Sequence, residues 1–269
     1  MRTGDLSGDG TVGKALAVLD QVAAVGRPVR FTELLLASEF PKATLFRLLQ
    51  TLTHQTLLSH DPDTGTYSLG VRLVRLAHAA WNQSSLAPIA RPFIDALSQA
   101  MGETVHLAQL DTAHVLYVDK RNAQVPLEMY AQAGKVGPAY CTGVGKAMLA
   151  FLPDAQLERL LPQMSFHRFT SNTLTGPDAL KAELAAIRVR GHAMDREEHE
   201  PGIICVAAPI LSTRNRVLGA LSVTSSTTRT TLGALEGCAD TVKAVASRIA
   251  AEAESWRFPD DHIHIRKAG

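Results

Sequence analysis

Phe40-Pro41-Lys42-Ala43-Thr44-Leu45-Phe46-Arg47-Leu48-Leu49-Gln50-Thr51-Leu52 is the stretch on which the reading of this chain turns. Pro41 suits the first turn of a helix, where its missing N–H would have no partner anyway. Leu45, Leu48, Leu49 and Leu52 recur at helical spacing and share one face. Ala43, Arg47, Gln50 and His54 share the opposite face, flanked by Thr44 and Thr51. The leucines can anchor the helix on a core. The other face combines small residues, which let a backbone approach closely, with Arg and Gln, which reach base edges or phosphates. Periodicity alone describes a plain surface helix equally well, so the neighbouring segments decide.

Upstream, Val12, Leu16, Leu19, Val22 and Ala23 predict a first helix that ends at Gly26, with Pro28 just beyond. Thr32 is expected to cap a short second helix over 33–37, with Glu33 in its first turn. Ser38-Glu39-Phe40 then turns the chain into the Pro41 helix, which makes a helix-turn-helix pattern. Downstream, Asp61-Pro62-Asp63-Thr64-Gly65 is turn chemistry between flanks of strand character, Ser59-His60 and Thr66 to Leu69. That hairpin stands where a winged helix keeps its wing. Either piece alone is ordinary, but the ordered set is specific.

The totals set bounds. With 269 residues, 46% hydrophobic and 20% charged, the chain has room for two domains and a sizeable core. A net charge of +1 does not advertise strong nonspecific nucleic-acid binding by one copy, although a dimer doubles the contacts. Cys141, Cys205 and Cys238 are too few and too scattered for a disulfide framework or a zinc site, and no metal or cofactor is expected. The first ten residues are polar with no apolar core, so no signal peptide is read. The longest apolar run, near Ile203 to Leu211, is too short to span a bilayer. These features together predict a cytoplasmic protein without a membrane partner.

Beyond the hairpin, Leu69, Leu73, Leu76, Ala77 and Ala80 predict another helix, and Asn82-Gln83-Ser84-Ser85 a polar break. A helix is expected over 86–101. Strands are expected at Thr104–Asp111 and Val115–Lys120, turning at Thr112-Ala113-His114, with a shorter strand over Leu127–Tyr130. Helices are expected at Thr142–Leu152, Asp154–Leu161 and Pro177–Arg190. Two strands follow, Gly202–Leu211 and Arg216–Thr224, and one long helix from Leu232 to about Trp256. This order predicts an α+β domain with a largely antiparallel sheet, and no internal repeat is evident.

From Thr11 to Trp256 the chain resembles the IclR family of bacterial transcription regulators. In the first part the resemblance rests on Phe40 to Leu49 and on Tyr67-Ser68-Leu69-Gly70. In the second it rests on Cys141 to Ala150, on Arg190 to Glu198, and on Gly202 to Ile210 followed by Gly219-Ala220-Leu221-Ser222-Val223. Within the family it looks most like sugar-acid regulators of the keto-deoxygluconate type, on Val105-His106-Leu107, Met129-Tyr130, Pro138-Ala139-Tyr140 and Glu197-Glu198-His199-Glu200. The resemblance implies a winged helix-turn-helix, a linker helix and a GAF-like effector domain. The expected domains are a flexible tail at 1–10, the DNA-binding domain at 11–69, the linker helix at 70–85, the effector domain at 86–256 and a C-terminal tail at 257–269. Two features depart from the pattern. Glu39 stands where such turns usually have Gly, at a cost of about 1 kcal/mol if the position is left-handed. The wing tip is acidic, at Asp61 and Asp63.

The candidate DNA contacts are Lys42, Ala43, Thr44, Arg47 and Gln50, with Arg47 foremost; its plain alternative is a solvated surface charge. Thr142-Gly143-Val144-Gly145-Lys146 could expose amides at a helix start. It is not a P-loop, because Tyr140 and Ala147 stand where Gly and Ser or Thr are needed. Tight helix-on-sheet packing explains the glycines equally well. By resemblance, Gly143, Val144, Asp195, Cys205, Ser222 and Thr224 surround a small organic acid effector. Alternatively Cys205 is a small buried hydrophobe and Ser222 a satisfied core hydroxyl. His106, Glu198 and His199 are weaker candidates. The expected function is a ligand-responsive regulator, a repressor released from a double-stranded operator by a sugar acid or keto acid, working as a homodimer or dimer of dimers. An activator of an aromatic-acid operon has the same architecture. A Cys/His enzyme built on Cys141 or Cys205 lacks a third residue to order it, so no catalytic residue is expected. An architectural DNA binder would leave the second half without a purpose.

Overall fold

In a computed structural model that describes residues 10–84 and 86–255, Leu45, Leu48, Leu49 and Leu52 are all buried, on one side of a helix that runs Lys42–His54. They pack on Val18 and Val22 of α1 (Gly10–Val25) and on Leu34 of α2 (Phe31–Leu36), which makes the Lys42–His54 helix α3. The wing is β2 (Leu58–Asp61) antiparallel to β3 (Thr66–Leu69). A two-residue strand, β1 (Val29–Arg30), adds to the other edge of β3 and sets Val29 opposite Tyr67. It was not expected, because two residues are too few for a periodic signal. The linker helix is α4 (Val71–Ser84).

Three local expectations change in this unit. Because Val29 and Arg30 are held on β3, α2 begins directly after them: Arg30 is the capping position, its N–H donating to Glu33 Oε1 at 3.1 Å, and Thr32 lies inside the helix. Glu39 does not adopt a left-handed conformation. The turn is held by Ser38 Oγ, which accepts from the Phe40 amide at 3.1 Å, so the anticipated cost does not arise. Asn82 to Ser84 continue α4 rather than break it, and Ser85 lies outside the described residues. The chain divides into two units between Gln83 and Ser84.

The second unit is built on an antiparallel sheet of six strands in the order β6-β5-β4-β9-β8-β7. Its elements are α5 (Ala87–Met101), β4 (Thr104–Asp111), β5 (His114–Arg121), β6 (Val136–Pro138), α6 (Gly143–Leu149), α7 (Asp154–Leu160), α8 (Pro177–Arg190), β7 (Ala193–Arg196), β8 (Ile203–Leu211), β9 (Val217–Ser226), α9 (Leu232–Glu236) and α10 (Ala239–Ser255). Side chains alternate across a strand, and here the alternation sorts by size. Leu107, Ile204, Val206 and Val223 are buried on the face that α5 and α10 cover. Ala108, Ala193, Ala207 and Ala220 face α6, behind which lie Leu180, Leu184 and Ile187 of α8. Small residues on that face let α6 approach the backbone closely.

No strand forms at 127–130. The edge of β5 is taken instead by Val136–Pro138, and the Tyr130 amide donates to Glu200 Oε2 at 2.9 Å. The long C-terminal helix is two helices, α9 and α10, separated at Gly237-Cys238, where glycine disfavours helix. Its expected end at Trp256, like the tails over 1–9 and 257–269, lies outside the described residues.

Gly145 is the tightest point of this packing. A Cβ there would overlap the Ala139 carbonyl and Cα, which are backbone and cannot rotate away. Gly145→Ala is expected to destabilise the second unit by about 1–3 kcal/mol, read as a lower midpoint in thermal unfolding. An unchanged midpoint would show that α6 can shift without cost.

Candidate functional site

The polar face of α3 lies open. Lys42, Ala43, Arg47 and Gln50 are exposed and Thr44 is half-buried. Neither Lys42 nor Arg47 is spent on an ion pair among the described residues, so both cations remain for a partner. The Pro41 carbonyl accepts from the amides of Thr44 and Leu45, at 2.9 and 3.0 Å, which starts the helix at Lys42 and aims its first turn outward. The wing tip keeps its acidic charge, and the hairpin itself favours the ionised Asp61. Asp61 turns back into the hairpin, accepting from the Asp63 amide at 3.0 Å and the Thr64 hydroxyl at 2.7 Å. Those bonds hold its carboxyl below the usual range.

In the second unit, strand register assembles a site from residues far apart in sequence. Asp195 on β7 pairs with Cys205 on β8, which pairs with Thr224 on β9; one step along, Ser222 pairs with His106 on β4. All point to the α6 side of the sheet. Gly143 sits directly above them: a Cβ there would overlap Cys205 Sγ and touch the Asp195 Cβ at 3.6 Å. Between α6 and the sheet lies a small cavity, partly open to solvent. Gly143, Val144, Asp195, Cys205, Ser222 and Thr224 all line it, as do His106 and His199. Tyr117, Met129, Ala131, Thr142, Glu200 and Ile203 complete the wall; Met129 and Glu200 entered the sequence reading only through the family likeness, and Tyr117 and Ala131 not at all. Met129 and Ala131 reach it from an irregular loop that carries no periodic signal.

The wall has a fixed hydrogen-bond polarity. His106 Nε2 is 3.3 Å from the Ala131 carbonyl oxygen, which can only accept, so Nε2 carries the proton. Burial drives the His106 pKa down to about 3, so the ring is neutral and Nδ1 accepts. The Thr224 hydroxyl donates to it at 3.2 Å, which leaves Thr224 Oγ1 to accept from Ser222 at 3.4 Å. The hydroxyls on the sheet therefore turn lone pairs, not protons, toward the cavity.

Behind the wall, Lys146 of α6 is fully buried and ion-paired with Glu198, also buried. Neither has a role in the sequence reading beyond Lys146's place in a family block and Glu198's weaker candidacy. The clue was a single lysine in an otherwise apolar helix. Glu198 does not line the cavity, but its amide donates to Asp195 Oδ1 at 2.9 Å. The segment that carries it is clamped: Thr173 Oγ1 donates to the Glu198 carbonyl at 2.6 Å and Thr170 Oγ1 to the Glu197 carbonyl at 2.7 Å. Burial and the neighbouring Glu198 push the Asp195 pKa up to about 7. Burial likewise pushes both the Cys141 and Cys205 thiols up. A nucleophile needs thiolate, so neither cysteine is equipped to act as one.

The profile described as "Bacterial transcriptional regulator IclR C-terminal" matches residues 78–251, and that of the "IclR helix-turn-helix domain" matches residues 11–62. The HTH-type transcriptional regulator XynR of Escherichia coli K12 is 32% identical over 219 residues, spanning 81% of this chain and 87% of that protein. The transcriptional repressor IclR of the same organism is 30% identical, over 81% of this chain and 80% of its own length. The crystal structure of the Thermotoga maritima IclR superposes with a TM-score of 0.75 at 27% identity, covering 91% of this chain and 98% of that one. These relatives are transcriptional regulators rather than enzymes.

The buried ion pair yields a prediction. Lys146→Met leaves the Glu198 charge uncompensated and is expected to cost about 3–5 kcal/mol in chemical denaturation. Adding Glu198→Leu removes the orphaned charge and is expected to restore most of the loss. A single variant as stable as the parent would mean that water already screens the pair.

Proposed function

The chain belongs to the IclR family of bacterial transcriptional regulators, and on that premise we propose that it is a cytoplasmic repressor released from its operator when a small organic acid enters the cavity beneath α6. The observation that carries this reading is the convergence of Asp195, Cys205, Ser222 and Thr224 from three strands on Gly143 and Val144. A carboxyl, a thiol and two hydroxyls around one cavity suit a small polar ligand. Sheet hydroxyls that present lone pairs favour an acid that also carries hydroxyl groups, which supports a sugar acid over a plain aromatic acid. Lys42, Ala43, Thr44, Arg47 and Gln50 are the residues we assign to the operator, with Arg47 reading a base edge and the first turn of α3 meeting phosphate.

Two such helices on a homodimer would read two half-sites, and a dimer of dimers follows the same rule. Exposed Val12 and Leu16 on α1, and Val71 and Val74 on α4, are apolar surface that a second copy would cover. The effector can switch the protein only if it binds the DNA-competent and DNA-incompetent states with different affinity; about 1–3 kcal/mol is the usual scale of such coupling.

The test is a thermal-shift panel of D-gluconate, pyruvate and 4-hydroxybenzoate, followed by operator binding with and without the hits. A ligand at a hundredfold excess over its dissociation constant adds about 2.7 kcal/mol, a readable shift. Gluconate stabilising the protein and weakening operator binding supports the reading. A response to 4-hydroxybenzoate alone overturns the sugar-acid class, and tighter operator binding with ligand overturns the repressor sign.

Two sets of variants separate the sites. Arg47→Ala is expected to abolish sequence-specific operator binding while leaving the ligand shift unchanged. Ser222→Ala and Cys205→Ser are expected to blunt the ligand shift and spare operator affinity. Unchanged operator affinity in the first, or a full ligand shift in both of the second, would move the respective site elsewhere.

A further inference from the structure

No lysine or arginine stands among the residues that line the cavity. Its charged or chargeable wall groups are Asp195, Glu200 and the imidazoles of His106 and His199. His106 is neutral, and burial also lowers the pKa of His199, so neither supplies a ready cation. An acid effector is ionised throughout the neutral range. Placed here as an anion, it would meet the carboxylates of Asp195 and Glu200; Lys120 on β5, the register partner of His106, offsets Glu200, and Asp195 is left as the repelling group in a site where low dielectric magnifies the effect.

The surroundings of Asp195 bear on this directly. From the turn after β7, Glu198 adds a second carboxylate and spends its amide on Asp195 Oδ1. From α6, Lys146 is the one buried cation nearby, and it is ion-paired to Glu198. Cys205 on β8 and Cys141 before α6 hold protonated thiols, and Tyr117 on β5 a protonated phenol, each pushed up by burial. Arg196 follows Asp195 on β7, but it is exposed and pairs with Glu183. The buried trio of Lys146, Glu198 and Asp195 thus carries one negative charge too many when all three are ionised. Asp195 is the member that faces the cavity, and among the described residues its side chain accepts one hydrogen bond, at Oδ1.

We propose that the effector acid binds only to the form of the protein in which Asp195 is protonated, so that each carboxylate bound brings one proton with it. The inference rests on the reading of this cavity as an organic-acid site. A protonated Asp195 removes the repulsion and turns its free oxygen into a hydrogen-bond donor. The proton comes from solvent and stays on the Asp195 carboxyl, with no bond made or broken elsewhere. The sign follows from the population of the protonated form. Burial and Glu198 set the Asp195 pKa to about 7. Below that value the competent form dominates and affinity is flat. Above it the competent fraction, and with it the apparent affinity, falls about tenfold for each pH unit.

The experiment is titration calorimetry of the full chain with the same three acids, D-gluconate, pyruvate and 4-hydroxybenzoate, at pH 6, 7, 8 and 9. At pH 8 it is run in two buffers of different ionisation enthalpy. The expected result is a net uptake approaching one proton per site at pH 8, and an affinity about a hundredfold weaker at pH 9 than at pH 6. Asp195→Asn presents an amide donor that does not titrate. It is expected to bind with an affinity that is flat from pH 6 to pH 9 and to take up no proton. Binding of an acid by the parent chain with flat affinity and no proton uptake would overturn the proposal and leave the organic-acid reading intact. Binding of none of the acids at any pH would overturn the organic-acid reading, and this proposal with it. The two-buffer measurement on the parent chain decides the matter even if the variant does not fold.

Discussion

The second unit depends on how near α6 comes to the sheet. Gly143 lies against Cys205, Gly145 lies against the backbone at Ala139, and Ala108, Ala193, Ala207 and Ala220 clear the floor beneath them. A helix that close to a sheet excludes water, and everything of functional interest follows from that exclusion. Lys146 becomes fully buried and requires Glu198. Glu198 in turn crowds Asp195 and fixes its carboxyl through a backbone amide. The cavity is the gap left where the contact gives way to polar side chains.

The two units solve different recognition problems with different physics. The first unit carries cations and small residues on the exposed side of α3, the face proposed to meet DNA, and its leucines on the opposite side form a small core. Its chemistry is on the surface, where water screens charge and one copy offers few contacts. The proposed effector site is enclosed. There, the hydrogen-bond direction along Ser222, Thr224 and His106 is dictated by a carbonyl that can only accept. In such a place a missing cation or an extra carboxylate decides what enters.

Several misreadings share one cause. Leu127–Tyr130 has strand-like residues, but a strand exists only where a partner edge is free, and the edge of β5 is occupied by Val136–Pro138. Val29–Arg30 looks like loop and is a strand, because β3 has an edge to offer. Each depends on a partner that the local sequence does not contain.

What the sequence determined by itself is what short-range periodicity and turn chemistry encode: the leucine face of α3 and its exposed opposite side, the wing, most of the helices and long strands, and the family blocks at Cys141 to Ala150 and Gly202 to Ile210. The resemblance to the family, rather than residue type, marked Gly143, Val144, Asp195, Cys205, Ser222 and Thr224 as a set. Only the tertiary structure decided that these side chains share one cavity, since strand register, not spacing, brings His106 within 3.2 Å of Thr224 across 118 positions. It alone decided their protonation as well. A carboxyl or an imidazole has one preferred charge in water and another when buried beside a second charge, and burial is a property of the packed chain.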